Sequence, residues 1–160
     1  MSENEQKALE TVKHYMWWSM GAGLIPVPIV DLAAVSGVQL KMLAAISKIY
    51  EVKYQENVGK AVIASLGGFM VPHALSYGVV GSLLKAVPVV GALAGAPAMA
   101  LFSGASAWAL GKVFIQHFES GGTFLNFEPE QVREHYRTHF EEGHKSAAAM
   151  KDEQKAGAPG

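Results

Sequence analysis

Cysteine is absent from this chain of 160 residues. Its absence excludes disulfide bonds, thiolate nucleophiles and zinc sites built on sulfur. The sequence also lacks a nucleophile elbow, a phosphate-binding loop, a dinucleotide-binding glycine motif and an HExxH zinc motif. We therefore expect no enzymatic activity and no cofactor.

Charged residues are scarce as well. They make up 17% of the chain, below the roughly 25% of an ordinary soluble domain. The formal net charge is -1, so the chain has no overall positive field that would attract nucleic acid. We expect no nucleic-acid partner.

The few charges are unevenly placed. Asp31 is the only charged residue between Tyr15 and Leu40, and Lys85 is the only one between Ala61 and Gly111. Segments so poor in charge are buried nearly all round, either in a protein core or in lipid. Each arm of residues 61–114 exceeds the roughly 20 residues that cross a bilayer as a helix.

We therefore predict a hydrophobic helical hairpin at residues 61–114, with its turn near Lys85 and Pro88, placed in a membrane. The first arm contains several glycines and polar residues, which lower its hydropathy. A soluble helical bundle with an unusually apolar central hairpin is the alternative. By the positive-inside rule, the lysines and arginines that flank the hairpin predict that both termini face the cytoplasm.

Small residues recur at three- and four-residue steps in the second arm. They place a narrow face along one side of a helix, which lets another helix approach closely. We expect this face to bind a partner helix and the chain to form a homo-oligomer. The face consists of Ala92, Ala96, Ala100, Ser103, Gly104, Ala107 and Gly111.

Residues 15–50 form a predicted helix-break-helix. Pro26 and Pro28 cannot both lie inside one helix, so we expect one helix to end near residues 23–25 and the next to begin at Pro28. Trp17 and Trp18 precede this break, and paired aromatic rings with polar tips favour the membrane–water boundary. A corner of a soluble core is the alternative.

Some polar residues fall in helical stretches where they could serve a site. Asp31 lies in the first turn after Pro28, where a carboxylate stabilises a helix start; pairing with Lys85 or with a ligand is the alternative. Gln39 interrupts an apolar face, and we interpret it as an interhelical hydrogen bond. Near the carboxyl end, polar residues at four- and three-residue steps could face one metal ion from a helix. A metal site is the less favoured interpretation, because the same spacing suits an exposed amphipathic helix. Its candidate ligands are His135, His139 and Glu142.

Three stretches carry a family resemblance: GAGLIPVPIVD, the step from Gln39 to Met42, and GKVFIQHFESGGTF. With them the chain resembles a bacterial domain-of-unknown-function family. Its members occur alone, within YcjF-type inner-membrane proteins, and joined to Era-like GTPase domains. The resemblance implies a small multi-pass or membrane-associated helical module of the bacterial inner (cytoplasmic) membrane, and it supplies no catalytic residues. It marks motif positions of unknown role at Gly23, Pro26, Pro28, Asp31, Gln39, Lys41, Lys85, His117, Phe118 and Gly121.

The predicted architecture is one all-α domain over residues 1–150, with about five helices. It comprises the helix-break-helix at 15–50, the hairpin at 61–114 and an amphipathic helix at 129–150, and residues 151–160 are expected to be a disordered tail. We expect a non-enzymatic membrane module that binds membrane lipid. A partner of a separate Era-like GTPase and a soluble bundle that binds a lipid or other hydrophobe are the alternatives.

Overall fold

The computed structural model describes residues 2–22, 28–76 and 90–157, and side chains within 2–21, 35–70 and 100–149. In these ranges the chain forms five α-helices and no strand. They are α1 (Glu3–Ala22), α2 (Pro28–Ile49), α3 (Glu56–Ser76), α4 (Val90–Glu119) and α5 (Pro129–Gly157). The predicted all-α class is confirmed.

Local sequence signals explain where the helices begin. Ser2 precedes α1, and its Oγ accepts a hydrogen bond of 3.0 Å from the backbone amide of Glu5, in the serine-to-glutamate spacing of a capping box. Pro28 and Pro129 each occupy the first position of a helix. Proline suits that position because its φ is already helical and no amide donor is needed there.

α4 is the central helix of the bundle. Its largest interfaces are with α1 and α5, and its contacts with α2 and α3 are much smaller. Most side chains from Ala100 to Phe118 are buried, including Leu110 and Phe114. The protein core therefore accounts for the lack of charge between Ala100 and Gly111.

Two glycines of α4 allow this close packing. A Cβ at Gly104 would lie 2.7 Å from Cγ of Met20 and 3.2 Å from Cβ of Ala147. A Cβ at Gly111 would lie 2.8 Å from Cγ1 of Val12. The small face thus receives partner helices, as predicted, but over these positions the partners are α1 and α5 of the same chain.

The predicted hairpin of residues 61–114 corresponds to most of α3 and α4. Within the described ranges these two helices touch each other only slightly. The reason is that α1 and α5 occupy the small face of α4. The predicted turn near Lys85 and Pro88 lies outside the described residues.

None of the helices described has both the length and the hydropathy needed to cross a bilayer. The transmembrane hairpin is therefore not supported by these helices.

Three helix ends meet at one end of the bundle. Oε1 of Glu119, the last residue of α4, accepts hydrogen bonds from Oγ of Ser2 and, at 2.7 Å, from Oη of Tyr50. α1 therefore starts where α2 and α4 end. The contact between the rings of Tyr54 and Phe124 shows that α3 starts nearby. We call this the charged end, because it holds Glu119 and the acidic first turn of α1, with Glu3 and Glu5. From it, α1 and α3 run toward an opposite end where α2 and α4 begin.

The apolar face of α2 that Gln39 interrupts points into the bundle. Gln39, Met42 and Ile46 are all buried. Ser47 is buried too. Its hydroxyl donates a hydrogen bond of 2.7 Å to the carbonyl of Ala44, which satisfies the polar group without solvent.

α5 is longer than predicted. The sequence suggested a helix to about residue 150 and disorder beyond it, whereas α5 continues to Gly157. The segment KDEQK at 151–155 offers no core side chains, but Lys, Glu and Gln are good helix formers. Extending an existing helix also avoids the cost of nucleating one. Residues 158–160 lie outside the described ranges.

Candidate functional site

Two indole rings are exposed on α1. Trp17 is 40% exposed and Trp18 is 62% exposed; Leu125, at 80%, is the other large apolar side chain that is exposed in the described ranges. Nε1 of Trp18 donates a hydrogen bond of 3.2 Å to Nε2 of His14, one helical turn earlier. In this arrangement a neutral His14 carries its proton on Nδ1 and keeps a free donor there.

A groove lies between α1 and α2 beside Trp18. Its volume is about 290 Å³, and its described lining combines three aromatic rings, one aliphatic side chain and one cation. Lys41 is exposed and forms no ion pair with any residue whose side chain is described. We call this the α1–α2 groove; it is lined by His14, Tyr15, Trp18, Val38 and Lys41.

A buried polar cluster connects three helices behind the groove. Nε2 of Gln39 on α2 donates a hydrogen bond of 3.0 Å to Oγ of Ser106 on α4. That Oγ lies 2.9 Å from Oη of Tyr136 on α5. Burial raises the pKa of Tyr136 to about 12, although its hydrogen bond with Ser106 acts in the opposite direction. The predicted interhelical hydrogen bond of Gln39 is therefore present.

The role of this cluster is structural and not catalytic. A serine nucleophile needs a base within hydrogen-bond reach, whereas the described partners of Ser106 are an amide and a phenol. What the cluster does is fix the rotation of α2. With 3.6 residues per turn, Lys41 lies about 200° around the helix from Gln39. Holding Gln39 inward therefore holds Lys41 outward, in the α1–α2 groove.

The motif residues at the end of α4 build a helix stop. Gly121 has a φ of +88°, the left-handed conformation typical of a residue that ends a helix. The amide of Gly122 then donates to the carbonyl of His117 at 2.9 Å. Nε2 of His117 lies 2.8 Å from the Thr123 carbonyl and 3.0 Å from Oδ1 of Asn126, so a proton on Nε2 serves both acceptors. His117 thus holds the loop at residues 120–128.

Phe118 anchors the same loop through aromatic packing. Its ring centroid lies 5.6 Å from that of Phe114 and 5.6 Å from that of Phe124. Phe114 in turn stacks on Phe127 at 4.2 Å with nearly parallel planes. The charged end of the bundle is therefore stabilised by His117, Phe118 and Gly121.

The possible metal ligands on α5 do not form a metal site. Nδ1 of His139 lies 3.0 Å from Oε2 of Glu142, and its Nε2 lies 3.1 Å from Nε2 of Gln116. Both ring nitrogens of His139 are therefore occupied, and His135 is exposed to solvent. No group of three or more metal-binding side chains comes together anywhere in the described part of the chain.

Comparison with known proteins places the chain in a family. It matches the family described as "Domain of unknown function (DUF697)" over residues 1–145. The chain belongs to the DUF697 family. The DUF697 chain is also 35% identical over 147 residues to a protein named Magnetosome membrane protein 22 from Magnetospirillum gryphiswaldense. That match covers 92% of this chain and 75% of the relative. No solved structure matches the chain.

The resemblance to a domain-of-unknown-function family is thus confirmed, while the specific link to YcjF-type proteins is not. Several motif positions of this DUF697 chain cannot be located in the structure: Gly23, Pro26 and Lys85 lie outside the described residues, and the side chain of Asp31 does too. The alternative pairing of Asp31 with Lys85 therefore stays a prediction.

Sequence reasoning identified Gln39 and Lys41 but missed their surroundings. Ser106 was not singled out, because a serine within a run of alanines and glycines is indistinguishable from any other small packing residue. Tyr136 was not singled out either, and it is buried together with Phe140. Its hydroxyl was the available signal, since a buried phenol usually has a hydrogen-bond partner.

Proposed function

We propose that this DUF697 chain is a non-enzymatic, membrane-associated helical protein that rests on a bilayer with the surface formed by α1 and α2. The observation that carries the proposal is the exposure of Trp17 and Trp18 next to each other on α1. Indole rings prefer the headgroup region of a bilayer, where the ring is buried and the N–H stays hydrated. The name of the relative, a magnetosome membrane protein, agrees with it.

The distribution of charge supports contact through a side of the bundle. In α1 the charged residues lie between Glu3 and Lys13, and from Tyr15 to Ala22 there are none. α5, in contrast, carries charged residues from Glu130 to Lys155 and runs almost the length of α4. Insertion of the bundle end-on would bury the charged last turns of α5 in lipid, at a high cost. Contact through α1 and α2 leaves α5 in water.

Vesicle flotation tests this proposal. The wild-type chain should float with phospholipid vesicles, and Trp17→Ala/Trp18→Ala should weaken binding by about tenfold, equivalent to about 1.4 kcal/mol. Leu125→Ala is the matched control, because Leu125 is even more exposed but lies in the loop at the charged end. Wild-type protein that stays in the unbound fraction, or equal losses in both variants, would refute the proposal.

The other partners and properties predicted from the sequence stay predictions. Self-association through the small face of α4 is disfavoured between Ser103 and Gly111, because α1 and α5 already cover that part. Analytical ultracentrifugation measures the oligomeric state directly. Three further predictions rest on the sequence alone: a separate GTPase partner, a carrier role for a lipid, and a topology with both termini in the cytoplasm.

A further inference from the structure

We infer that the α1–α2 groove binds the headgroup of an anionic phospholipid, with Lys41 as the contact to its phosphate. This inference rests on the proposed membrane association and adds a lipid preference to it. The groove offers hydrogen-bond donors and a positive charge at a level where the exposed indole rings would meet the headgroups of a bilayer.

The lining of the groove is complementary to an anion. The exposed ammonium group of Lys41 brings three donors and makes no ion pair with any described residue. His14 accepts the Trp18 indole proton on Nε2, which leaves its Nδ1–H available in the neutral form. Tyr15 adds a hydroxyl, and none of the lining residues whose side chains are described carries a carboxylate that would repel a phosphate.

The size of the groove selects a headgroup. A volume of about 290 Å³ is at the lower limit of ligand pockets, which span roughly 300–1,000 Å³. A phosphate with its glycerol fits such a space, whereas a whole lipid does not. The acyl chains would remain in the bilayer, alongside the rings of Trp17 and Trp18.

The fold holds the cation in position. Gln39 is fixed inside the bundle by its hydrogen bond to Ser106, so the outward rotation of Lys41 is set by the core of the protein. Lys48 provides a comparison on the same helix: it is exposed as well, but it does not line the groove. A general attraction between lysines and an anionic surface would involve both residues; a headgroup site involves Lys41.

Flotation with two kinds of vesicle tests the inference: phosphatidylcholine alone, and phosphatidylcholine mixed with phosphatidylglycerol. Wild-type protein should bind the anionic vesicles more tightly. Lys41→Gln should lower the ratio of the two affinities by about fivefold, the contribution of about one lysine at an anionic surface. Lys48→Gln should leave that ratio nearly unchanged. Both substitutions are at exposed positions, and circular dichroism verifies that each variant is folded.

Equal effects of the two substitutions would overturn the headgroup site and would indicate diffuse electrostatic attraction. Release of the protein from anionic vesicles by inorganic phosphate, at matched ionic strength, would also overturn it, because the groove would then prefer the free anion. The proposed function fails in a different way: wild-type protein would bind neither kind of vesicle. The two failures are therefore distinguishable.

Discussion

The hydroxyl of Tyr136 lies 2.9 Å from Oγ of Ser106, inside the bundle where α2, α4 and α5 meet. Tyr136 is only 1% exposed, and this burial raises its pKa from 10.0 to about 12. The phenol is therefore neutral at physiological pH and ionises only with difficulty while the chain is folded.

This raised pKa predicts a loss of stability in alkali. Because the folded pKa is above the unfolded value, the contribution of Tyr136 is complete below pH 10 and disappears as the pH rises to about 12. A rise of this size corresponds to roughly 3 kcal/mol of stability. Denaturant unfolding of the wild type across this range should show the fall. Tyr136→Phe should show a smaller fall, since Tyr50 and Tyr54, whose pKa values are also raised by burial, remain.

At neutral pH the same substitution should cost about 1 kcal/mol, the net contribution of one hydrogen bond. An identical alkaline loss in Tyr136→Phe and in the wild type would contradict the assignment.

The contact between Gly111 and Val12 predicts a large effect of one methyl group. Gly111→Ala should lower the free energy of unfolding by about 1–3 kcal/mol, because the new Cβ would overlap the Val12 side chain. Gly68→Ala is the matched control: no atom lies within 4 Å of its Cβ position, so removing a helical glycine should stabilise α3 by about 0.5–1 kcal/mol. Urea denaturation measures both.

Adding Val12→Ala should restore part of the stability lost in Gly111→Ala. A double variant no more stable than Gly111→Ala alone would argue against close packing of α1 on α4.

The helix stop at Gly121 predicts a dependence on backbone conformation. A Cβ there would meet no atom within 4 Å, but φ is +88°, so Gly121→Ala should cost about 1–2 kcal/mol from backbone strain alone. Gly121→Asn should cost less, because asparagine tolerates the left-handed region. Thermal unfolding of the two variants compares them. Equal losses would mean that the residue is needed for something other than its φ.

Parts of the fold were predictable because single residues determine them. Pro28 suits the first turn of a helix, and α2 begins at Pro28, the position predicted for it. Tyr136 and Phe140 repeat at helical spacing in an otherwise charged segment, and both face the core. In each case the cause acts within one turn of chain.

The neighbours of α4 were not predictable in the same way. Gly104 and Gly111 require a close partner, but the spacing of small residues is the same whichever helix approaches. α3 follows from chain order as the obvious partner, whereas Val12 and Met20 of α1 occupy those positions. For the same reason the absence of charge before Lys112 suggested lipid, although its cause over residues 100–111 is the interior of the bundle.

Contact between the indole rings of α1 and lipid is the central claim, and tryptophan fluorescence in vesicles with brominated acyl chains tests it most directly. The chain has three tryptophans, so Trp17→Phe/Trp18→Phe retains Trp108 as an internal reference. Brominated lipid should quench the wild-type emission strongly and that of the double variant little. Vesicle-bound wild-type protein that is equally bright in brominated and ordinary lipid would contradict the account.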